Sequence, residues 1–164
     1  MRVLFCHGLE GTPHGTKVRA MRTAGLDVLA PDFQGQVLAE RIQTLGAVLA
    51  ELPADAKMIL AGSSYGGAVA AWTAMHHTDR FAGLLLLAPA LHYAEQPVAS
   101  AVDYIPVDLP TIIIHGEQDS VVPISASEDY AGRSTHVQLR RVEDGHRLVE
   151  SLPEIISAVR ELIP

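Results

Sequence analysis

Met58-Ile59-Leu60-Ala61-Gly62-Ser63-Ser64-Tyr65-Gly66-Gly67-Ala68-Val69-Ala70-Ala71-Trp72 decides how this chain is read. Its first four residues are an apolar run that reads as a buried strand, and Ala68 to Trp72 read as the start of a helix. Between them stands G-x-S-x-G, formed by Gly62, Ser64 and Gly66, with a further glycine at 67. A serine on a sharp strand–turn–helix corner is forced into strained backbone angles and holds its hydroxyl out at the end of the sheet. A side chain at either flanking glycine would crowd the corner or keep the helix away from the strand. Five letters of this kind arise often by chance, so the strand before and the helix after carry the inference. The bland alternative is a tight turn that happens to contain serine. Ser63 competes for the nucleophile's role, but only Ser64 has glycine at both minus two and plus two.

A serine hydroxyl is a weak nucleophile; it needs a base, and the base needs an orienting acid. Thr111-Ile112-Ile113-Ile114-His115 is a β-branched run read as a buried parallel strand. It opens into Gly116-Glu117-Gln118-Asp119-Ser120-Val121-Val122-Pro123, which puts Asp119 just past the strand's carboxyl end. His136 to Val142 reads as another strand, with Glu143-Asp144-Gly145-His146 as its exit loop. Asp119 is therefore the candidate acid and His146 the candidate base. Glu117 stands as the alternative acid.

The motifs together resemble the α/β-hydrolase superfamily nearly end to end. Cys6-His7-Gly8-Leu9 resembles the family's oxyanion loop, and Pro31-Asp32-Phe33-Gln34-Gly35 its Pro-Asp-x-x-Gly turn. Gly62 to Gly67 matches the nucleophile elbow, His115 to Pro123 the acid loop, and Gly145-His146 the base. The order Ser64, Asp119, His146 is that family's chain order. More narrowly, His7 to Pro13 with Lys17, together with the elbow, is similar to small, lidless bacterial esterases. The resemblance implies a Ser64–His146–Asp119 triad and an oxyanion hole made by backbone N–H groups of Tyr65 and Leu9. It calls for no cofactor and no metal.

Length and composition agree. A chain of 164 residues, nearly half of them apolar, can bury a core of its own, and we read residues 1–164 as one domain. A net charge of −7 without basic clusters argues against nucleic acid or an anionic membrane as partner. Cys6 is the only cysteine, which excludes an internal disulfide and fits a reducing compartment. With the first residues entering a strand and no apolar run of transmembrane length, the expected location is cytoplasmic.

The coarse organisation is strands near 2–6, 26–30, 57–61, 83–88, 111–115 and 136–142, alternating with helices. One helix carries Leu38, Ile42, Leu45, Leu49 and Leu52 on one face. The last helix begins at an expected capping box, Ser151 to Glu154. The fold class that follows is a minimal α/β-hydrolase: a mostly parallel six-stranded sheet, helices on both faces, no cap domain. The connection from Pro89 to Pro110 is too short for a lid with its own core. It carries Leu91 and Tyr93, expected substrate-wall residues.

Other features read as structural. Gly8 to Lys17 sits where a phosphate-binding loop would, but lacks G-x-x-x-x-G-K-[ST]. His7 and His115 belong to strand-end His-Gly pairs, and His76-His77 to a helix end. Asp32 is expected at a turn, and Asp144, beside the candidate base, is expected to be solvated. No charged cluster in the loops predicts an ionic substrate. The resulting expectation is a serine carboxylesterase or thioesterase acting on small or exposed acyl groups. The alternatives are a non-catalytic binding protein on the same fold, or acyl transfer, amide hydrolysis or peroxidation on the same triad.

Overall fold

The computed structural model describes residues 1–164, along which strands and helices alternate. Strands β1 (Val3–Cys6), β2 (Val28–Leu29), β3 (Met58–Ser63), β4 (Phe81–Leu87), β5 (Thr111–Gly116) and β6 (Val137–Val142) form one sheet in the order β2-β1-β3-β4-β5-β6. Every neighbouring pair is parallel. The helices are α1 (Thr16–Thr23), α2 (Leu38–Glu51), α3 (Tyr65–His76), α4 (Ile124–Ala131) and α5 (Leu152–Leu162). Only the β4–β5 crossover lacks an α-helix; a short 3₁₀ turn at Ala101–Asp103 is its one regular element. This is the minimal α/β-hydrolase architecture expected from the sequence, without a cap domain.

Period-two alternation sorts the strands' apolar side chains between two cores. Leu4, Cys6, Leu84 and Leu86 face the layer that holds α2 and α3, whereas Val3, Phe5, Leu85 and Leu87 face the layer that holds α1 and α5. Because both faces are covered, the inner strands read as continuous apolar runs, whereas the edge strand β6 mixes apolar and polar residues. Fully burying each such side chain contributes about 1.5–3 kcal/mol, which fixes the register. No helix is long and apolar enough to cross a membrane.

Boundaries differ from expectation where the ladder, not composition, sets them. β3 runs on to Ser63 because Gly62 and Ser63 still pair with Leu86 and Leu87 of β4. β2, at the sheet's edge, pairs with β1 only through Val28 and Leu29 and is correspondingly short. The expected capping box at α5 is not made. The Ser151 hydroxyl turns away to Asp144 (2.9 Å), and Glu154 instead meets Arg140 of β6 (2.8 Å). A buried carboxylate outcompetes the helix's own N–H groups for that hydroxyl.

The chain winds first to β2 on one side of β1, then to β3 on the other. The connections that leave the carboxyl ends of β1 and β3 therefore run to opposite faces of the sheet and open a crevice between them, the usual place for a ligand in a doubly wound sheet.

Candidate active site

Ser64 lies at this crevice with φ 55° and ψ −119°, left-handed backbone that a non-glycine residue rarely adopts. Its surroundings over-determine it. Its N–H donates to the Leu87 carbonyl (2.9 Å), and its own carbonyl accepts from Gly67 (2.8 Å) and Ala90 (3.0 Å). The glycines act through space: a Cβ on Gly66 would fall on the carbonyls of Cys6 and His7, and one on Gly62 on the Gly66 carbonyl. Any larger residue would push α3 off the sheet and carry Ser64 with it.

Two other loops converge on that hydroxyl. Ser64 Oγ is 2.9 Å from His146 Nε2, and His146 Nδ1 is 2.7 Å from Asp119 Oδ2. An ionised carboxylate only accepts, so the His146 proton sits on Nδ1 and Nε2 is free to accept from the serine. The Asp119 side chain is almost fully buried; its other oxygen accepts from the N–H groups of Val121 (2.8 Å) and Val122 (2.9 Å). Burial alone would raise this carboxyl, but the bonds from His146, Val122 and Val121 outweigh it and hold the group below the usual carboxylate range. His115 backs the acid from beneath. Its Nε2–H is shared between the Val122 carbonyl (3.1 Å) and Asp119 Oδ2 (3.2 Å), while Nδ1 accepts from Ser127 Oγ (2.8 Å). Burial lowers the His115 pKa, so it stays neutral.

On the opposite side, the loop after β1 is organised by a residue that motif reading passed over. Arg41 of α2 is completely buried, and its guanidinium donates to the carbonyls of His7 (2.9 Å), Gly8 (3.3 Å), Leu9 (3.5 Å) and Gln36 (3.0 Å). The same guanidinium lies over the Tyr65 ring, 4.7 Å from its centroid, and against Phe33 (5.6 Å). Arg41 thus touches both residues expected to supply the oxyanion donors, Leu9 and Tyr65. A signal existed: position 41 falls three after Leu38 and four before Leu45, on the inward stripe of α2. His7 completes the loop, with Nδ1–H donating to the Gly8 carbonyl (2.8 Å) and Nε2 accepting from Phe33 N–H (3.0 Å).

A cleft of about 360 Å³ opens in front of Ser64 and His146, walled by Leu9, Thr12, Lys17 and Arg147 among others. Lys17 Nζ donates to the Arg147 carbonyl (2.7 Å), which ties α1 to the loop carrying His146. Asp144 braces the same loop from inside. It is buried, not solvated as expected, because its carboxylate accepts from Gly145, Glu150 and Ser151 N–H groups and from the Ser151 hydroxyl.

Leu91 and Tyr93 do not line this cleft. With Ala90 hydrogen-bonded to Ser64, the chain turns inward and buries Leu91 in the core, where it borders a separate cavity of about 400 Å³ with Val102 and Arg133. Tyr93 is half exposed and packs edge-on against the Tyr65 ring at 6.0 Å. The Tyr65 hydroxyl is bonded to Glu95, pinning the 89–110 connection over α3. Glu117 is exposed, and it is Asp119 that meets His146. Ser63 is buried on the cleft wall, while the hydroxyl facing His146 is that of Ser64. Cys6 is buried beneath the loop, and burial pushes its thiol up to about 12, so it is no nucleophile at neutral pH. Asp32 caps its own turn through Gln34 N–H (3.0 Å), and His76 donates to the Trp72 carbonyl (2.9 Å).

A family model described as phospholipase/carboxylesterase matches residues 36–158, a span that includes Ser64, Asp119 and His146 but not the loop after β1. Among solved structures, Est1E from Butyrivibrio proteoclasticus superimposes with a TM-score of 0.83 at 21% identity, covering 99% of this chain and 86% of that one. A thermophilic esterase from Thermogutta terrifontis gives 0.78 at 20% identity, covering 98% and 88%. A monoacylglycerol lipase from Paleococcus ferrophilus gives 0.80 at 15% identity, covering 98% and 94%. At these identities the likeness is one of fold. No curated protein matches the sequence.

Proposed function

The chain belongs to the phospholipase/carboxylesterase family of α/β hydrolases, and on that premise we propose that it is a serine hydrolase of the carboxylesterase or thioesterase type. It acts on small or exposed acyl groups through a covalent acyl-enzyme. The observation that carries the reading is the unbroken hydrogen-bond chain from Ser64 through His146 to Asp119, assembled from three loops at one end of the sheet.

Each step follows from the positions of the protons. His146 Nε2 removes the Ser64 hydroxyl proton as Oγ attacks the acyl carbonyl carbon. Asp119 holds the imidazole in its Nδ1–H tautomer and stabilises the imidazolium that forms. The carbonyl oxygen, now an anion, is received by the N–H groups of Tyr65, at the start of α3 where the helix dipole adds to the effect, and of Leu9. Removing one such donor typically costs about 3–4 kcal/mol of transition-state stabilisation. Collapse expels the alcohol or thiol, which takes the proton from His146. Water then repeats the sequence on the acyl-enzyme.

The test is labelling with a fluorophosphonate probe, wild type beside Ser64→Ala, read by mass spectrometry of the intact chain. One adduct on the wild type, absent from the variant, supports the reading. A folded wild type that takes up no probe would refute it and favour a ligand-binding role for the fold.

A further inference from the structure

The geometry points to the Ser64 cleft as a site for esters that carry a carboxylate a short chain away from the scissile carbonyl, with Lys17 and Arg147 as the residues that pair with it. The inference rests on the serine-hydrolase reading and names its substrate class. In the sequence these cations are far apart, and neither lies in a charged cluster. The fold brings Lys17 Nζ to within 2.7 Å of the Arg147 carbonyl, on the wall of the cleft that contains Ser64 and His146. Neither side chain takes part in an ion pair.

Two cationic residues thus line one cleft, and neither is neutralised by an ion pair. Burial pulls the Lys17 ammonium down to about 8; Asp144 opposes that fall, and the charge of Arg147 adds to it. Asp144, whose charge reaches Lys17, forms an ion pair with neither cation; its carboxylate accepts instead from Gly145, Glu150 and Ser151. A bound carboxylate would relieve the repulsion and accept from both cations, with the Arg147 guanidinium offering the paired donors that a carboxylate fits. Glu10 lies on the same wall. Counting only the residues that line it, the cleft carries one net positive charge, which suits a monoanion better than a dianionic phosphate.

The experiment compares matched esters that differ only in that charge. One pair is 4-nitrophenyl hydrogen adipate and its methyl-capped diester. The other is the acetate of 4-hydroxyphenylacetic acid and that compound's methyl ester. We expect the free acid to exceed the capped compound in kcat/KM by roughly tenfold or more in at least one pair, the worth of one charge-assisted contact. The ratio should fall toward one in Arg147→Gln, in Lys17→Met, and with added salt. Lys17→Met also frees the Arg147 carbonyl, but any shift of His146 acts on both members of a pair alike, so the ratio isolates recognition of the charge. A wild-type ratio near or below one in both pairs, with the capped esters turned over, overturns this inference and leaves the hydrolase standing. So does a ratio that survives in both variants. Probe labelling of Ser64 without turnover of either acid also overturns this inference alone. Absence of both labelling and turnover overturns the hydrolase reading and this inference with it.

Discussion

Asp119 is held by its own neighbours, whereas the loop from His7 to Leu9 is held by a side chain 34 residues from the first of them. On the acid side, the backbone N–H groups two and three residues ahead grip the carboxylate, while Glu117 and Gln118 tie the loop's first residues to the carbonyls of Val142 and Asp144. On the other side, the carbonyls of the loop after β1 point at one guanidinium from α2. The first arrangement is local, so its residues form a readable motif. The second is a single buried cation, and losing it takes a donor from four carbonyls at once, although that of Gly8 keeps His7 and Gly11. Two loops facing one serine can thus both be held in place and yet differ in how they fail.

The largest effect should come from the serine that both loops face. Ser64→Ala is expected to lower kcat by about 10⁶, with a melting temperature, followed by circular dichroism, close to wild type. Retained turnover would transfer the nucleophile to Ser63. Next on the local side, Asp119→Asn should reduce kcat on the order of 10⁴ by presenting the wrong imidazole tautomer, with little loss of stability. If Glu117→Gln proves the damaging change and Asp119→Asn a mild one, the acid is misassigned.

Arg41→Met tests the non-local side. We expect kcat to fall by about 10²–10³ with KM nearly unchanged, the signature of a displaced oxyanion donor. Stability should fall too, because each buried carbonyl left without a donor costs about 1–3 kcal/mol. Arg41→Lys, which keeps the charge but not the fork, should recover part of both. The contrast breaks if Arg41→Met loses stability while the surviving folded fraction keeps full kcat.

The smallest effect is shared by both sides and concerns pH. Burial lowers the pKa values of His7 and His115 below 6.5, so in acid the unfolded chain binds protons that the folded one refuses. Stability should therefore decline as pH falls through 6.5 and below. Melting curves between about pH 8 and pH 5 measure this. His115→Asn should flatten the acid-side share and leave that of His7. A melting temperature independent of pH would show that neither histidine is kept neutral by the fold.

Read as residues alone, the chain already specifies much of this molecule. Continuous apolar runs set the strands, the periodicity of residues 38 to 52 sets α2, and turn chemistry places Ser64, Asp119 and His146 just past strand ends. All of these depend on neighbours a few positions apart, and that is the range over which composition and spacing carry information. What the tertiary structure decided involves partners tens of residues apart. Arg41 reads as one cation on an amphipathic helix until α2 packs against the loop after β1. Asp144 reads as a solvated loop acid until α5 folds back and offers it Ser151. Leu91 reads as a pocket wall until the bond from Ala90 to Ser64 turns the chain inward. Lys17 and Arg147 share a cleft only because α1 and the loop after β6 close over the same end of the sheet. A buried charge takes its meaning from whichever donors and acceptors surround it, and those are chosen by packing, not by adjacency in the chain.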